Sequence, residues 1–179
     1  MPNNLPEPLR GWGLSWAGLL DNRQGEWWLL AQIVLILLHA LPPLPAPASL
    51  GLAWPPFLVV VGLILLGLGL VLAAASFLNL GASLSPLPDP KPGAALVTDR
   101  AYGRCRHPLY QAVLICSLGV CLALGSLVHL LLLLGLVGVL GGKARREERG
   151  LISSHPGYAA YRLVTPAIVA GLPWLDWRR

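Results

Sequence analysis

Four stretches of almost unbroken apolar residues divide this chain, and its charges are confined to the segments between them. The first, "WWLLAQIVLILLHAL", runs from Trp27 to Leu41 and stops at Pro42 and Pro43, which cannot continue a helix without losing hydrogen bonds. The second, "PFLVVVGLILLGLGLVLAAASFLNL", runs from Pro56 to Leu80. At about 1.5 Å per residue it easily crosses a hydrocarbon core of about 30 Å. After the proline-rich "SPLPDPKPG" come Pro108 to Leu124 and Ser126 to Gly142, separated only by Gly125, which read as a helical hairpin. Each arm offers about 17 residues, or about 25 Å, the short end of the spanning range.

This pattern predicts an all-α fold: an integral membrane helical bundle of about four transmembrane helices, with a C-terminal helical hairpin followed by a cytoplasmic helical tail. The chain reads as one membrane domain over residues 1–179. Within it, 1–26 form a cytoplasmic or interfacial N-terminus, 27–80 the first two spans, 81–107 a cytoplasmic loop, 108–142 the hairpin and 143–179 the C-terminal segment. The N-terminal "MPNNLPEPLRGWGLSWAGLL" lacks the pattern of a secretory signal, and Trp12 and Trp16, four apart, suit a segment lying along the interface.

Composition agrees: 55% hydrophobic residues and a mean hydropathy of +0.66 exceed what a soluble domain carries. The charge distribution adds orientation. No Lys, Arg, Asp or Glu lies between Leu41 and Pro56 or from Pro108 to Gly142, so all 13 Lys and Arg residues fall before the first span, between the second and third, or after the fourth. With four passes these regions share one face, which the positive-inside rule makes cytoplasmic, together with both termini. The net charge of +5 then reflects topology, and nucleic-acid binding is disfavoured. Cys105, Cys116 and Cys121 form neither a paired framework nor a CxxC, and are read as reduced and structural. Gly135, Gly138 and Gly142 lie at helical spacing in the fourth span, and the GxxxG of the last two predicts close helix packing.

Against this background "YGRCRHPLYQA", residues 102–112, stands out because Arg104, Arg106 and His107 precede an apolar run directly. The residue before a proline avoids the α region and proline suits the first helical position, so His107-Pro108 marks the start of the third span. The free N–H groups of that helix face the charged rim, and with the neighbouring cations they attract a carboxylate or phosphate. Tyr110 follows one turn in. The other end of the hairpin, "KARREERGLISSHPGYAAY", carries Glu147 and Glu148, and a hairpin returns both ends to one side. A rim of cations and carboxylates suits a zwitterion. The alternative is an exposed helix with surface pairs such as Lys143 with Glu147 and Arg145 with Glu148, each worth about 0.3–0.5 kcal/mol; Lys143, Arg145, Arg146 and Arg149 are expected on such a solvated face. His155-Pro156 ends this helix, and Tyr158 and Tyr161 share a helical face beyond it. His39 and His129 fall on the opposite side of the membrane and are assigned no chemistry. No HExxH, P-loop or GxSxG occurs, and no metal site is expected.

"RCRHPLYQ" after "VTDRAYG", then a hydrophobic hairpin, then "EERGL" and "HPGYAAYRLVTP", resembles the isoprenylcysteine carboxyl methyltransferase and phospholipid methyltransferase superfamily. The resemblance covers about Leu96 to Pro173. It implies that Arg104, Arg106, His107, Pro108 and Tyr110 form one wall of an S-adenosyl-L-methionine pocket, with Glu147, Glu148, Tyr158 and Tyr161 opposite, and His107 and Glu147 as the catalytic candidates. The pocket would face the cytoplasm and a lipid-soluble acceptor would enter from the bilayer. Gly67 and Gly69 invite two readings, helix packing or the GxG with which some membrane methyltransferases approach their cofactor. Gly103, Arg104 and Ala112 depart from the usual pattern, which has arginine, an aromatic residue and glycine there.

The implied activity is S-adenosylmethionine-dependent methyl transfer to a lipophilic or small acceptor, a carboxylate, amine or thiol, with membrane lipid as partner. Arg106 and His107 are expected to hold the methionine carboxylate and a glutamate its ammonium. Two alternatives stay open: an NADPH-dependent membrane reductase of the sterol reductase type, and a non-catalytic membrane subunit.

Overall fold

The computed structural model describes residues 16–89 and 93–178, and the elements are helical throughout these residues. In chain order they are α1 (Trp16–Asp21), α2 (Glu26–Leu38), α3 (Pro56–Leu80), α4 (Pro108–Leu124), α5 (Leu127–Ser154) and α6 (Tyr158–Val164), with short 3-10 turns at Pro47–Leu50 and Gly81–Ser83. Trp12, expected at the interface, lies outside the described residues. Local chemistry sets the boundaries. Pro56 and Pro108 open their helices at positions where no N–H is needed. Gly125 ends α4 in the left-handed conformation, at φ 59°, and any Cβ there would strike the Trp54 indole. α5 runs 28 residues, past the apolar stretch into the charged segment, and stops before His155-Pro156 as the sequence predicts.

Two helices, α3 and α5, are long and apolar enough to cross a membrane, whereas α2 (13 residues) and α4 (17 residues) are shorter apolar helices. The first apolar stretch is helical only to Leu38, short of the expected Leu41. α3 supports the membrane reading most directly. Only 11% of its most apolar window is buried, and Leu63, Leu68, Val71 and Leu78 are each more than half exposed. A continuous apolar surface of this size is untenable in water and is the normal state of a helix in hydrocarbon.

The helices run between two distinct ends. At one, Arg146 bonds Asp89 (3.1 Å) and the carbonyl of Arg23 (2.8 Å), joining all three charged regions of the chain. At the other, Ser126 pairs with the backbone of Leu44 and the Trp54 indole donates to the Leu122 carbonyl (2.8 Å). The segregation of charge read from the sequence is therefore a property of the folded body.

α3 and α4 make the closest helix contact. A Cβ on Gly62 would lie 2.5 Å from the Gly119 carbonyl oxygen, one on Gly119 2.6 Å from that of Gly62, and one on Gly69 2.5 Å from Cys116 Sγ. The absence of side chains lets the two backbones meet. This corrects the expected seam in the fourth span: Gly138 is exposed with nothing near it, and Gly142 receives the Trp28 indole instead of a second backbone. Gly69 is likewise a packing residue, while Gly67 faces open space.

The C-terminal segment also departs from expectation. Beyond the end of α5 only α6, seven residues long, is helical among the described residues; the chain then returns across the base of the hairpin, where Ala167 and Ile168 are fully buried with Tyr110, Leu136, Leu140 and Ala144. Backbone bonds from Arg106 N–H to Pro166 and from His107 N–H to Ala167, both 2.9 Å, fasten it to the start of α4.

Overpacking a tight contact costs about 1–3 kcal/mol. Gly62→Val should therefore lower the thermal unfolding temperature in detergent by several degrees, whereas Gly138→Val, where a Cβ meets nothing within 4 Å, should leave it unchanged.

Candidate active site

The residue just before α4 and the one six residues past the end of the apolar part of α5 meet in a buried ion cluster. Arg106 lies two residues before Pro108, and its fully buried guanidinium donates to both oxygens of Glu148, from Nε to Oε1 at 2.8 Å and from Nη2 to Oε2 at 3.2 Å. Its remaining donors reach the carbonyls of Arg162 (3.0 Å), Thr165 and Trp177 (3.1 Å). All five guanidinium N–H groups are thus engaged within the protein. Glu148 further accepts from His107 Nε2 (2.9 Å) and Trp177 Nε1 (2.8 Å). Burial by itself raises the Glu148 pKa, but the hydrogen bonds and charges of His107 and Arg106 outweigh it and bring the carboxyl down to about 2. An ionised carboxylate only accepts, so His107 carries a hydrogen on Nε2 and directs Nδ1 elsewhere.

That direction is towards Glu147, whose Oε2 lies 3.6 Å from Nδ1. Successive residues on an α-helix point about 100° apart, so Glu148 faces the cluster while Glu147 turns to a neighbouring cleft. Glu147 remains partly exposed there (28%) and accepts from the Tyr110 hydroxyl at 2.8 Å. The Tyr110 and His107 rings stack in parallel, centroids 5.3 Å apart.

The cleft has a cavity of about 100 Å³ and opens to the outside. His107, Leu109, Tyr110 and Glu147 line one side, Tyr102, Tyr158 and Tyr161 another, and the loops around Leu84 and Leu96 a third. The Tyr158 hydroxyl is buried without a hydrogen-bond partner among the described residues. Burial raises the pKa of Tyr102, Tyr158 and Tyr161 above the ordinary phenol value, so all three remain donors. The helix start leaves the N–H groups of Leu109 and Tyr110 without intrahelical acceptors.

The structure thus brings together Arg106, His107, Pro108, Tyr110, Glu147, Glu148, Tyr158 and Tyr161. Arg104 stands apart, exposed and lining no part of the cleft. The expected surface pairs do not form: Lys143 is buried and donates to Gln32 (2.7 Å) with its ammonium over the Tyr110 ring, and Arg145 stacks on Trp174 and Trp177. Cys105 is a buried thiol whose pKa burial pushes up to about 11, donating to the Ala167 carbonyl, consistent with a structural role. Tyr102, Gln32 and Trp177 were not apparent as site residues; for Trp177 the signal was the aromatic, basic terminus "WLDWRR".

A membrane helical protein with a charged cleft at one end of a hairpin is the class these features define. The model of the phospholipid methyltransferase family matches residues 57–154, more than half the chain, and spans α3, α4 and α5 with the His107-Pro108 and Glu147-Glu148 segments. The chain belongs to this family of membrane methyltransferases, within the superfamily that its motifs resemble. No curated protein matches it.

The Glu148 pKa, lowered from 4.5 to about 2, contributes stability that is present above about pH 4.5 and lost as pH falls towards 2. Glu148→Gln should flatten this acid limb of the unfolding curve. It should also lower stability at pH 7 by about 3–5 kcal/mol, because Arg106 is left buried without its counter-charge.

Proposed function

We propose that this methyltransferase moves a methyl group from S-adenosylmethionine to a lipid-soluble or small acceptor, a carboxylate, amine or thiol, at the cytoplasmic face of the membrane. The observation that carries this reading is the shared cleft of His107, Tyr110 and Glu147, all within the family match, with the unpartnered hydroxyl of Tyr158. The cofactor supplies a methyl already activated on a positively charged sulfur, and it is also an amino acid. The residues present suit both features. The Glu147 carboxylate and the tyrosine rings would face the cationic groups, and the N–H groups of Leu109 and Tyr110 at the start of α4 the carboxylate. The buried Tyr158 hydroxyl would gain a partner that it otherwise lacks.

This distribution shifts a role from the expected Arg106 to the helix terminus. With all five donors engaged, Arg106 acts with Glu148 as a positioning residue, holding His107 and the C-terminal segment in place. His107, fixed through Nε2, keeps Nδ1 beside Glu147, where the two could take a proton from an amine or thiol. A carboxylate acceptor needs no base. The rest of the task is alignment and exclusion of water, which a cleft walled by buried rings provides.

S-adenosylhomocysteine should raise the unfolding temperature of the purified protein, and incubation with labelled methyl donor and total lipid extract should yield a labelled product. Glu147→Gln, which keeps the bond from Tyr110, should weaken S-adenosylhomocysteine binding at least tenfold while shifting stability by less than about 1 kcal/mol. Stabilisation by NADPH in place of S-adenosylhomocysteine would sink the proposal in favour of a reductase, and stabilisation by neither would favour a non-catalytic subunit.

A further inference from the structure

A second cleft, open to the outside, lies on the other side of Glu148 and is lined by Arg145, Glu148, Arg149, Ile152, Arg162 and Trp177. Arg145, Glu148, Arg149 and Ile152 stand at i, i+3, i+4 and i+7 and so share one face of α5, turned away from Glu147 and the first cleft. Three guanidinium groups meet one carboxylate, and that carboxylate is already matched by Arg106 behind it. The cleft therefore carries net positive charge.

Its cations are arranged for an external partner. Arg145 is held between two indoles, 4.3 Å from the Trp174 centroid and 4.1 Å from that of Trp177, with bonds to the carbonyls of Gly141 (3.3 Å) and Trp174 (2.8 Å), so little side-chain freedom is left to lose on binding. Arg162 reaches the Trp177 carbonyl and lies 3.7 Å from Glu148. Arg149 is exposed and makes no hydrogen bond or ion pair among the described residues. Around the cleft, Leu163, Val164 and Trp174 are each more than half exposed. Arg149 stands seven residues beyond Gly142, the end of the apolar stretch, or about 10 Å along the helix, which is headgroup depth beside a hydrocarbon core.

We infer that this cleft binds a negatively charged phosphate group, as an anionic phospholipid headgroup presents it at the membrane surface, with Arg145, Arg149 and Arg162 as its partners. The inference is independent of the methyl-transfer reading, since none of these arginines lines the first cleft. It adds a coupling between the sites. Trp177 both lines this cleft and donates to Glu148, so a bound headgroup holds the C-terminal segment down over the Arg106–Glu148–His107 cluster.

The test is titration calorimetry of the full chain in neutral detergent with dihexanoyl phosphatidylglycerol, dihexanoyl phosphatidylcholine and inorganic phosphate, comparing the parent with Arg149→Gln. Phosphatidylglycerol should bind more tightly than phosphatidylcholine, weaken with added salt, and lose about tenfold or more in affinity in the variant. Binding of inorganic phosphate that depends on Arg149, with no preference for phosphatidylglycerol, would keep the phosphate site and assign it a soluble ligand. Phosphatidylglycerol binding equally to parent and variant would place the lipid on the apolar surface and overturn the inference, as would the absence of Arg149-dependent binding for either anion.

Discussion

The Glu148 carboxylate is the point on which the charged end of this protein depends. It is buried, and its two oxygens accept four hydrogen bonds from Arg106, His107 and Trp177. A buried charge is tolerable only when so fully met, and meeting it draws together the residues before α4, the extension of α5 and the C-terminal strand of chain. Arg106 extends the same constraint outwards, because its other donors reach three carbonyls of the returning segment. One ion pair thereby fixes the ends of the hairpin to one another and to the tail.

From that constraint follows a division of labour between adjacent glutamates. Glu148 is enclosed and orients His107; Glu147, one residue earlier, points into the cleft and among the described residues has only Tyr110 as a hydrogen-bond partner. Helical geometry alone separates them, yet their chemistry differs because one is surrounded by donors and the other partly faces solvent. In the proposed reaction the enclosed carboxylate gives geometry and the open one contact.

The cleft also sits at the charged end of the apolar helices. α3 shows apolar side chains nearly all round, whereas Arg23, Asp89 and Arg146 converge at the end that holds His107 and Glu147. In the proposed reaction such a place would suit a polar donor and a lipid-soluble acceptor arriving from different phases.

The sequence by itself determined the four apolar helices, the starts of α3 and α4, the ends of α4 and α5 and the segregation of charge, because apolar runs, proline at first helical positions and glycine at a left-handed end act over a few residues. "RHPLY" and "EERGL" were legible as partners since a hairpin must return its ends to one side. What only the tertiary structure decided are matters of rotation and long-range return. Which glycines form the close seam depends on the face that α3 turns to α4. Whether Lys143 is solvated or buried depends on Gln32, over a hundred residues away. That Arg106 is fully engaged depends on carbonyls of a tail with no periodic signal of its own, because hydrogen bonds to backbone oxygens leave no trace in residue type.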